Sequence, residues 1–326
     1  MSKILVTGGA GYIGGHIVHM LIESGAEVVV ADDFSYGRRD HVPAGVKVYE
    51  GDLKDKTFVA SIFEQEPVTA VIHLAASLEV EESVREPEKY FEQNVRATRN
   101  LLKAMRTQNV KKMTFASTAA AYGEVGLEPV KEHELREPNN PYGHSKVIAE
   151  SLIDVHCRWF GLQAVSLRFF NVCGVSPKYG VVDTHKASHM LPIIIEAALG
   201  KREKFVVNGG DYPTPDGSCV RDFVHVMDIA RAHIVSLDYI DKHPASKLRV
   251  FNVGTGSGHS VLQMVAAAKK ITGKDFPVEI GPRRAGDAPS TIANVEYIQK
   301  EMGFVCEHSS PEEIIESTWR QMARQV

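Results

Sequence analysis

Thr7-Gly8-Gly9-Ala10-Gly11-Tyr12-Ile13-Gly14 follows the apolar run Ile4–Thr7 and leads into a stretch in which Ile13, Ile17 and Leu21 recur at every fourth position. Gly8, Gly11 and Gly14 form the pattern G-x-x-G-x-x-G. Glycines at these points allow a tight turn, let backbone approach a pyrophosphate, and pack a helix closely on a strand. The helix that begins there presents unpaired N–H groups and the positive end of its dipole to an anion. A glycine turn alone is weak evidence, so the surrounding chain must supply the context.

That context extends outward in both directions. Nearly continuous apolar runs, Glu27–Ala31, Val46–Glu50, Ala70–Leu74, Lys112–Ala116 and Ala164–Arg168, alternate with helical patterns. Runs of this kind fit parallel strands covered on both faces. The alternation implies an α/β fold with a doubly wound (Rossmann) parallel sheet. After about Phe170 the texture changes to Gly, Pro and Asp, with one helical stretch near Leu191–Gly200. Phe223–Val226 and the helical Asp228–Tyr239 then read as sheet-domain elements again, and Val250–Val253 as another strand. The expected organisation is a dinucleotide-binding domain of residues 1–170 plus about 222–255. A second, smaller α/β substrate domain takes about 171–221 and 256–326.

Asp32 closes the second strand about 18 residues past Gly14, where a carboxylate can accept both adenosine-ribose hydroxyls and would repel the 2′-phosphate of NADP. Arg38 and Arg39 are the competing signal for a 2′-phosphate, but they lie further into the loop. Asp33 reads either as a second ribose partner or as a solvated loop acid. Asp52 reads either as an adenine contact or as a turn residue or helix cap.

Tyr142 and Lys146, in Pro141-Tyr142-Gly143-His144-Ser145-Lys146, are four apart at the start of a helix and share one face. A lysine ammonium and an oxidised nicotinamide nearby favour the phenolate, so Tyr142 can take a proton from a substrate hydroxyl. Phe115-Ala116-Ser117-Thr118 ends the fifth strand, at the carboxyl edge where ligands bind in such sheets. Thr118, in preference to Ser117, is the hydroxyl expected to bond the reacting oxygen.

Composition bounds the rest. The chain has 326 residues, 44% of them hydrophobic and 24% charged, with a net charge of −4. The length suits about two domains. The charge disfavours a nucleic-acid-coating role, which needs a basic face. Four cysteines without a CxxC pair suggest reduced thiols in a cytoplasm. No apolar run has the ~18–20 residues of a membrane span. His144, His185 and His225 lack metal-ligand spacing, and no metal is expected. Ile148, Leu152, Val155 and Trp159 form an apolar stripe that fits a subunit contact and burial against the sheet equally well.

On these residues, and on Ala75-Ala76, Glu82-Ser83-Val84, Ala121-Tyr122-Gly123, Arg168-Phe169-Phe170-Asn171 and the long run Gly210–Val226, the chain resembles the extended short-chain dehydrogenase/reductases, and within them the UDP-glucose 4-epimerase family. The resemblance implies a tightly held NAD that is used catalytically and not consumed. It implies inversion of a UDP-sugar at C4 through a 4-keto sugar, with Tyr142, Lys146 and Thr118 catalytic. By the same match Gly8, Gly11, Tyr12, Ile13, Gly14, Asp32, Asp33, Phe34, Asp52, Leu53, Leu74, Ala75, Ala76, Asn94, Ser117, Tyr142, Lys146 and Phe170 contact the cofactor. Thr118, Tyr142, Asn171, His189, Met190, Val206, Asn208, Arg221, Arg284 and Asp287 hold the substrate. Without the resemblance Arg221 and Arg284 read as solvated charges. A homodimer built through helices near Val95–Met105 and Tyr142–Phe160 is also implied.

The chain departs from the family pattern at several places. Leu78-Glu79 stands where many members carry a lysine, and His189 where an asparagine is common. Ser290 or Thr291 falls near the position that gates pocket size, where a small residue would admit an N-acetylated sugar. Dehydratases of the family need an acid and a base just after the threonine. Here those positions are Ala119 and Ala120, which cannot move protons.

Overall fold

The computed structural model describes residues 3–183, 189–284 and 287–324. His185 lies outside the described residues. In chain order the elements are β1 (Lys3–Thr7), α1 (Tyr12–Glu23), β2 (Glu27–Asp32), β3 (Lys47–Glu50), α2 (Lys56–Gln65), β4 (Val68–His73), α3 (Val80–Arg85), α4 (Pro87–Tyr90), α5 (Ala97–Thr107), β5 (Lys112–Thr118), α6 (Pro141–Phe160) and β6 (Gln163–Phe169). They continue with β7 (Asn171–Cys173), α7 (Met190–Ala198), β8 (Phe205–Asn208), β9 (Val220–Arg221), β10 (Phe223–His225), α8 (Val226–Lys242), β11 (Arg249–Val253), β12 (His259–Ser260), α9 (Val261–Thr272), β13 (Val278–Gly281), β14 (Ser290–Thr291), α10 (Glu296–Met302) and α11 (Pro311–Ala323). Two compact units result. One comprises Met1–Gly123, Glu134–Arg168 and Ala230–Phe251; the other comprises Glu124–His133, Phe169–Ile229 and Asn252–Val326.

The first unit carries a seven-stranded sheet in the order β11-β6-β5-β4-β1-β2-β3. β1 pairs in parallel with β2 on one side and β4 on the other, so the strand order reverses at β1. A continuous apolar strand feeds two cores because successive side chains point to opposite faces. Leu5, Val29, Val71 and Met113 pack with Ile62 of α2, Leu101 and Met105 of α5 and Ile153 of α6. Ile4, Val6, Val28, Val30 and Ile72 pack on the other side with Ile17 and Leu21 of α1 and with Leu237 of α8. The doubly wound sheet expected from the sequence is present.

Helix α6 begins at a well-formed cap, which fixes Tyr142 in its first turn. The Asn140 side chain accepts from the Gly143 N–H at 2.9 Å, and Pro141 follows at the first helical position. It ends at Gly161, whose φ of 70° supplies the left-handed turn. Of its apolar stripe only Leu152 packs against the core beside the sheet. Ala149, Ile153 and Cys157 are buried, whereas Ile148, Val155 and Trp159 are 39%, 44% and 74% exposed.

The second unit has its own core, formed by Leu191, Ile194 and Ile195 of α7, Phe205 and Val207 of β8, Met264 and Val265 of α9 and Ile314 and Ile315 of α11. Three small sheets accompany it: β10-β7, β12-β9-β14 and β13-β8. One expectation is corrected here. The Phe223–Val226 run does not rejoin the large sheet; β10 pairs in parallel with β7. Short strands β7, β8 and β9 lie within the part of the chain rich in glycine, proline and aspartate.

Candidate active site

The glycine turn sits where the strand order reverses, beside β4. Gly8 has φ +72°. Any Cβ on it would lie 2.7 Å from the Ala75 nitrogen, and one on Gly14 would lie 2.0 Å from the Gly8 carbonyl oxygen. The N–H groups of Leu74 and Ala75 both donate to the Thr7 carbonyl at 3.1 Å, which holds the two strand ends together. No side chain caps the N-terminus of α1 at Gly11. The first turn, with Tyr12, Ile13 and Gly14, therefore offers its amides to an anion.

Asp32 is buried at the end of β2. Its Oδ2 accepts from the Ala10 N–H at 2.9 Å and its Oδ1 from the Phe34 N–H at 2.9 Å. Each oxygen keeps a second lone pair, the capacity two ribose hydroxyls need. Burial raises its pKa, and these two backbone donors oppose that shift. Arg38 is taken up by Asp40, at 2.9 and 2.5 Å. Asp33 closes its own loop, accepting from the Ser35 N–H and hydroxyl at 2.9 and 2.6 Å. Phe34 adopts φ 56° and carries the Arg39 guanidinium over its ring at 5.1 Å. Asp52 accepts from the Lys54 N–H at 2.8 Å, and the buried Leu53 gives its carbonyl to Asn100 at 3.1 Å. The glycine cradle, the uncapped helix and the strand-end carboxylate together fit a dinucleotide.

Asn94 lies in a single turn of π-helix, Phe91–Arg96, a feature that often marks functional positions. Its amide is spent on the protein: it accepts from the Ser77 N–H at 2.8 Å and donates to the Ser77 carbonyl at 3.0 Å and the Ser145 hydroxyl at 2.9 Å. It thereby ties the loop after β4, which carries Ala76, to the first turn of α6. His73 extends the same network. Thr98 gives its one proton to the Asn94 carbonyl at 2.6 Å, so it accepts from His73 Nε2 at 2.9 Å. Nδ1 is then the acceptor for the Thr7 hydroxyl at 2.7 Å. Burial pushes His73 down to about 3, with the charge of Lys146 adding to the effect.

Tyr142, Lys146 and Thr118 come together at the carboxyl end of β5. Lys146 Nζ is buried, donates to the Ala116 carbonyl at 2.9 Å and lies 4.9 Å from the centre of the Phe115 ring. Burial lowers it to about 7. Thr118 Oγ1 accepts from the Ala120 N–H at 3.1 Å, and the Thr118 hydroxyl is hydrogen-bonded to the Tyr142 phenol. The Tyr142 ring packs edge-on against buried Tyr90 at 6.3 Å and 81°. Tyr90 is itself held by the Glu79 carbonyl at 2.6 Å and by Glu82 at 2.9 Å.

In the protein by itself burial raises the Tyr142 pKa, the Thr118 hydrogen bond opposes the rise, and the charge of Glu79 adds to it. Two buried residues beneath Lys146 escaped the sequence reading. Glu150 forms a bidentate pair with Arg168 at 3.0 and 2.7 Å, and Ser117 faces the same carboxylate. The available signal was Glu150's place two turns beyond Tyr142 on one helix face.

In the second unit Arg221, Arg284 and Asp287 converge. Asp287 Oδ1 lies 2.9 Å from Arg284 Nη2 and 3.6 Å from Arg221 Nη2. Arg221 is further braced by the Val220 and Ala288 carbonyls at 2.9 and 2.8 Å. Its neighbour Asp222 accepts from Thr255 N–H and Oγ1–H at 2.8 and 2.7 Å, and from the Gly256 and Ala293 N–H groups at 3.1 and 3.2 Å. In the sequence Asp222 shows only as one position of the Gly210–Val226 motif. Asn171 joins its backbone to Asp222 at 2.9 Å, and Phe170 is buried beside it. Val206 and Asn208 point outward from β8. His189 precedes Met190 at the start of α7 and pairs with Asp183 at 2.5 Å.

Among the described residues no cluster of His, Cys, Asp and Glu could hold a metal ion, and no helix is long and apolar enough to cross a membrane.

Known proteins place this geometry. The UDP-glucose 4-epimerase of Lacticaseibacillus casei is 42% identical over 317 residues, 97% of this chain and 95% of that one. That of Streptococcus mutans is 43% identical over 319 residues, again 97% and 95%. The crystal structure of UDP-glucose 4-epimerase from Brucella ovis in complex with NAD superposes with a TM-score of 0.93 at 36% identity, over 98% of both chains. That from Bifidobacterium longum in complex with NAD+ and UDP gives 0.90 at 33%, over 99% of this chain and 98% of that one. The family model for NAD dependent epimerases and dehydratases covers residues 4–254, from the first strand through the last strand of the large sheet. A chain whose glycine cradle, strand-end acid and tyrosine–lysine helix all fall within that span belongs to the NAD dependent epimerase/dehydratase family.

Proposed function

We propose that this chain is an NAD-dependent epimerase that interconverts UDP-glucose and UDP-galactose by inversion at C4. The observation that carries the reading is the Thr118–Tyr142–Lys146 group on a dinucleotide-binding sheet, in a chain alike over 97% of its length to curated UDP-glucose 4-epimerases.

Bound NAD supplies a reversible acceptor for the hydrogen at C4. The turn of Gly8, Gly11 and Gly14 with the first amides of α1 would hold its pyrophosphate, and Asp32 its adenosine ribose. Tyr142 takes the proton of the sugar 4-hydroxyl and later returns it. Thr118 donates to the phenolic oxygen, a bond that strengthens as negative charge develops there. Lys146, as an ammonium, lowers the cost of that charge. Arg221 and Arg284 suit the diphosphate as planar, fixed-charge donors. Inversion requires the hexose to turn over between the two half-reactions, so binding energy must come from the nucleotide end. Ala119 and Ala120, in the short turn after β5, offer no acid or base for removing water, which disfavours dehydration.

The exposed stripe Ile148, Val155 and Trp159 supports a homodimer assembled through α6. Four free thiols accord with a cytoplasmic enzyme. Ser290 and Thr291 form β14, and a small side chain at the gating position, which falls near one of them, favours acceptance of N-acetylated UDP-sugars as a second substrate class. Incubation with UDP-galactose and analysis of the product nucleotide sugar tests the main reading. Turnover of UDP-N-acetylgalactosamine tests the second.

A further inference from the structure

Glu150 follows Lys146 by one turn of α6, on the same helix face, and its side chain is only 1% exposed. Arg168, on β6, is as deeply buried and grips the carboxylate with two parallel hydrogen bonds. The Ser166 hydroxyl donates to it at 2.9 Å, and Arg136 approaches from the solvent side at 3.3 Å. The Arg168 guanidinium also stacks over the Tyr122 ring at 4.7 Å.

A buried ion pair is weak evidence for stability, because apolar side chains of similar volume pack as well. Its position is the informative feature. Lys146 faces the Ala116 carbonyl and the Phe115 ring from β5, the neutral His73 from β4, and Tyr142 and Glu150 along α6. Among the described residues Glu150 is the carboxylate whose charge acts on Lys146.

We propose that Glu150 is a positioning residue for Lys146: its carboxylate, fixed one helical turn away by Arg168 and Ser166, keeps the buried amine in its ammonium form. The proposal rests on the epimerase reading above, in which Lys146 acts as a cation beside Tyr142. Burial favours the neutral amine, and Glu150 works against it. Burial likewise favours protonated Glu150, and Arg168 and Ser166 hold that carboxyl below its ordinary range. Arg168 thus keeps Glu150 charged, and Glu150 keeps Lys146 charged. Neutralising the carboxylate leaves an amine that cannot stabilise a phenolate.

The test is a direct titration of Lys146 by NMR, in protein labelled with 13C at lysine Cε and without substrate. The signal is assigned by its loss in K146M. E150Q/R168M replaces both members of the pair with uncharged side chains. In that variant the midpoint should fall by about one unit, a tenfold loss of ammonium at fixed pH. The alkaline limb of kcat should move down by the same amount, with KM for UDP-galactose little changed. E150Q removes the carboxylate charge and keeps both arginines, so it should lower the midpoint further. An unchanged midpoint in folded E150Q/R168M overturns the proposal. If that variant does not fold, an unchanged midpoint in E150Q overturns it. Absence of epimerisation by the parent protein counts against the proposed function alone, because the titration is read without turnover.

Discussion

The hydroxyl of Thr118 accepts from the Ala120 N–H and is hydrogen-bonded to Tyr142, whose pKa it lowers, so its single proton is available to a charged phenolic oxygen. A hydroxyl has one donor to give, and the backbone of the turn after β5 has already filled an acceptor position. The bond is worth little while the phenol is neutral and more once the oxygen is charged.

Removing either partner should therefore act on the chemical step. Tyr142→Phe abolishes the base, and kcat is expected to fall by about 10³-fold or more while UDP binding persists. Thr118→Ala removes only a hydrogen bond to a charged group, about 1.5–3 kcal/mol, or about 10- to 100-fold in kcat. Initial rates over a range of UDP-galactose concentrations separate these losses from changes in KM. A variant that raises KM and leaves kcat intact would contradict the assigned role.

His73 sets an acid limit on stability. Its folded pKa, about 3, lies below the ordinary histidine value, so the ring is neutral in the fold and protonates readily in the unfolded chain. The stability linked to it is present in full above about pH 6.5 and is lost as pH falls from there toward 3, by up to about 1.4 kcal/mol per unit. His225, held to about 4 by burial, adds to the same window. His73→Asn should lower stability at pH 7 and flatten its decline between pH 6.5 and 4. Urea midpoints across that range measure it, and an unchanged slope would refute the account of His73.

Trp159 is the most exposed residue of the α6 stripe. Trp159→Glu places a charge on a face proposed to meet a second copy, where desolvating it is costly. The sedimentation coefficient should shift from dimer to monomer at micromolar concentration, with the fold retained by circular dichroism. A variant that sediments as the parent does would remove α6 from the interface.

The first half of the chain was legible because its signals are local. Gly8, Gly11 and Gly14 announce a turn that no side chain can enter, and the spacing of Tyr142 and Lys146 sets them on one helix face. The apolar strands also betrayed their parallel arrangement, since Ile4, Leu5 and Val6 need two cores. What escaped depends on long-range pairing. β10 looks like any short apolar strand, and only its parallel pairing with β7 removes it from the large sheet. Glu150 and Arg168 carry no local sign of their pairing until burial places them against each other. The same holds for Asp222, whose four backbone and side-chain donors come from Thr255, Gly256 and Ala293.

The central claim is that Tyr142, assisted by Thr118 and Lys146, supports reversible oxidation at C4 of a sugar that can then be reduced from its other face. The most direct measurement follows UDP-galactose incubated with the purified protein and NAD, with the nucleotide sugars resolved over time. The account predicts UDP-glucose accumulating to a constant ratio, at a rate lost in Tyr142→Phe. UDP-galactose recovered unchanged from folded, NAD-loaded protein would contradict it.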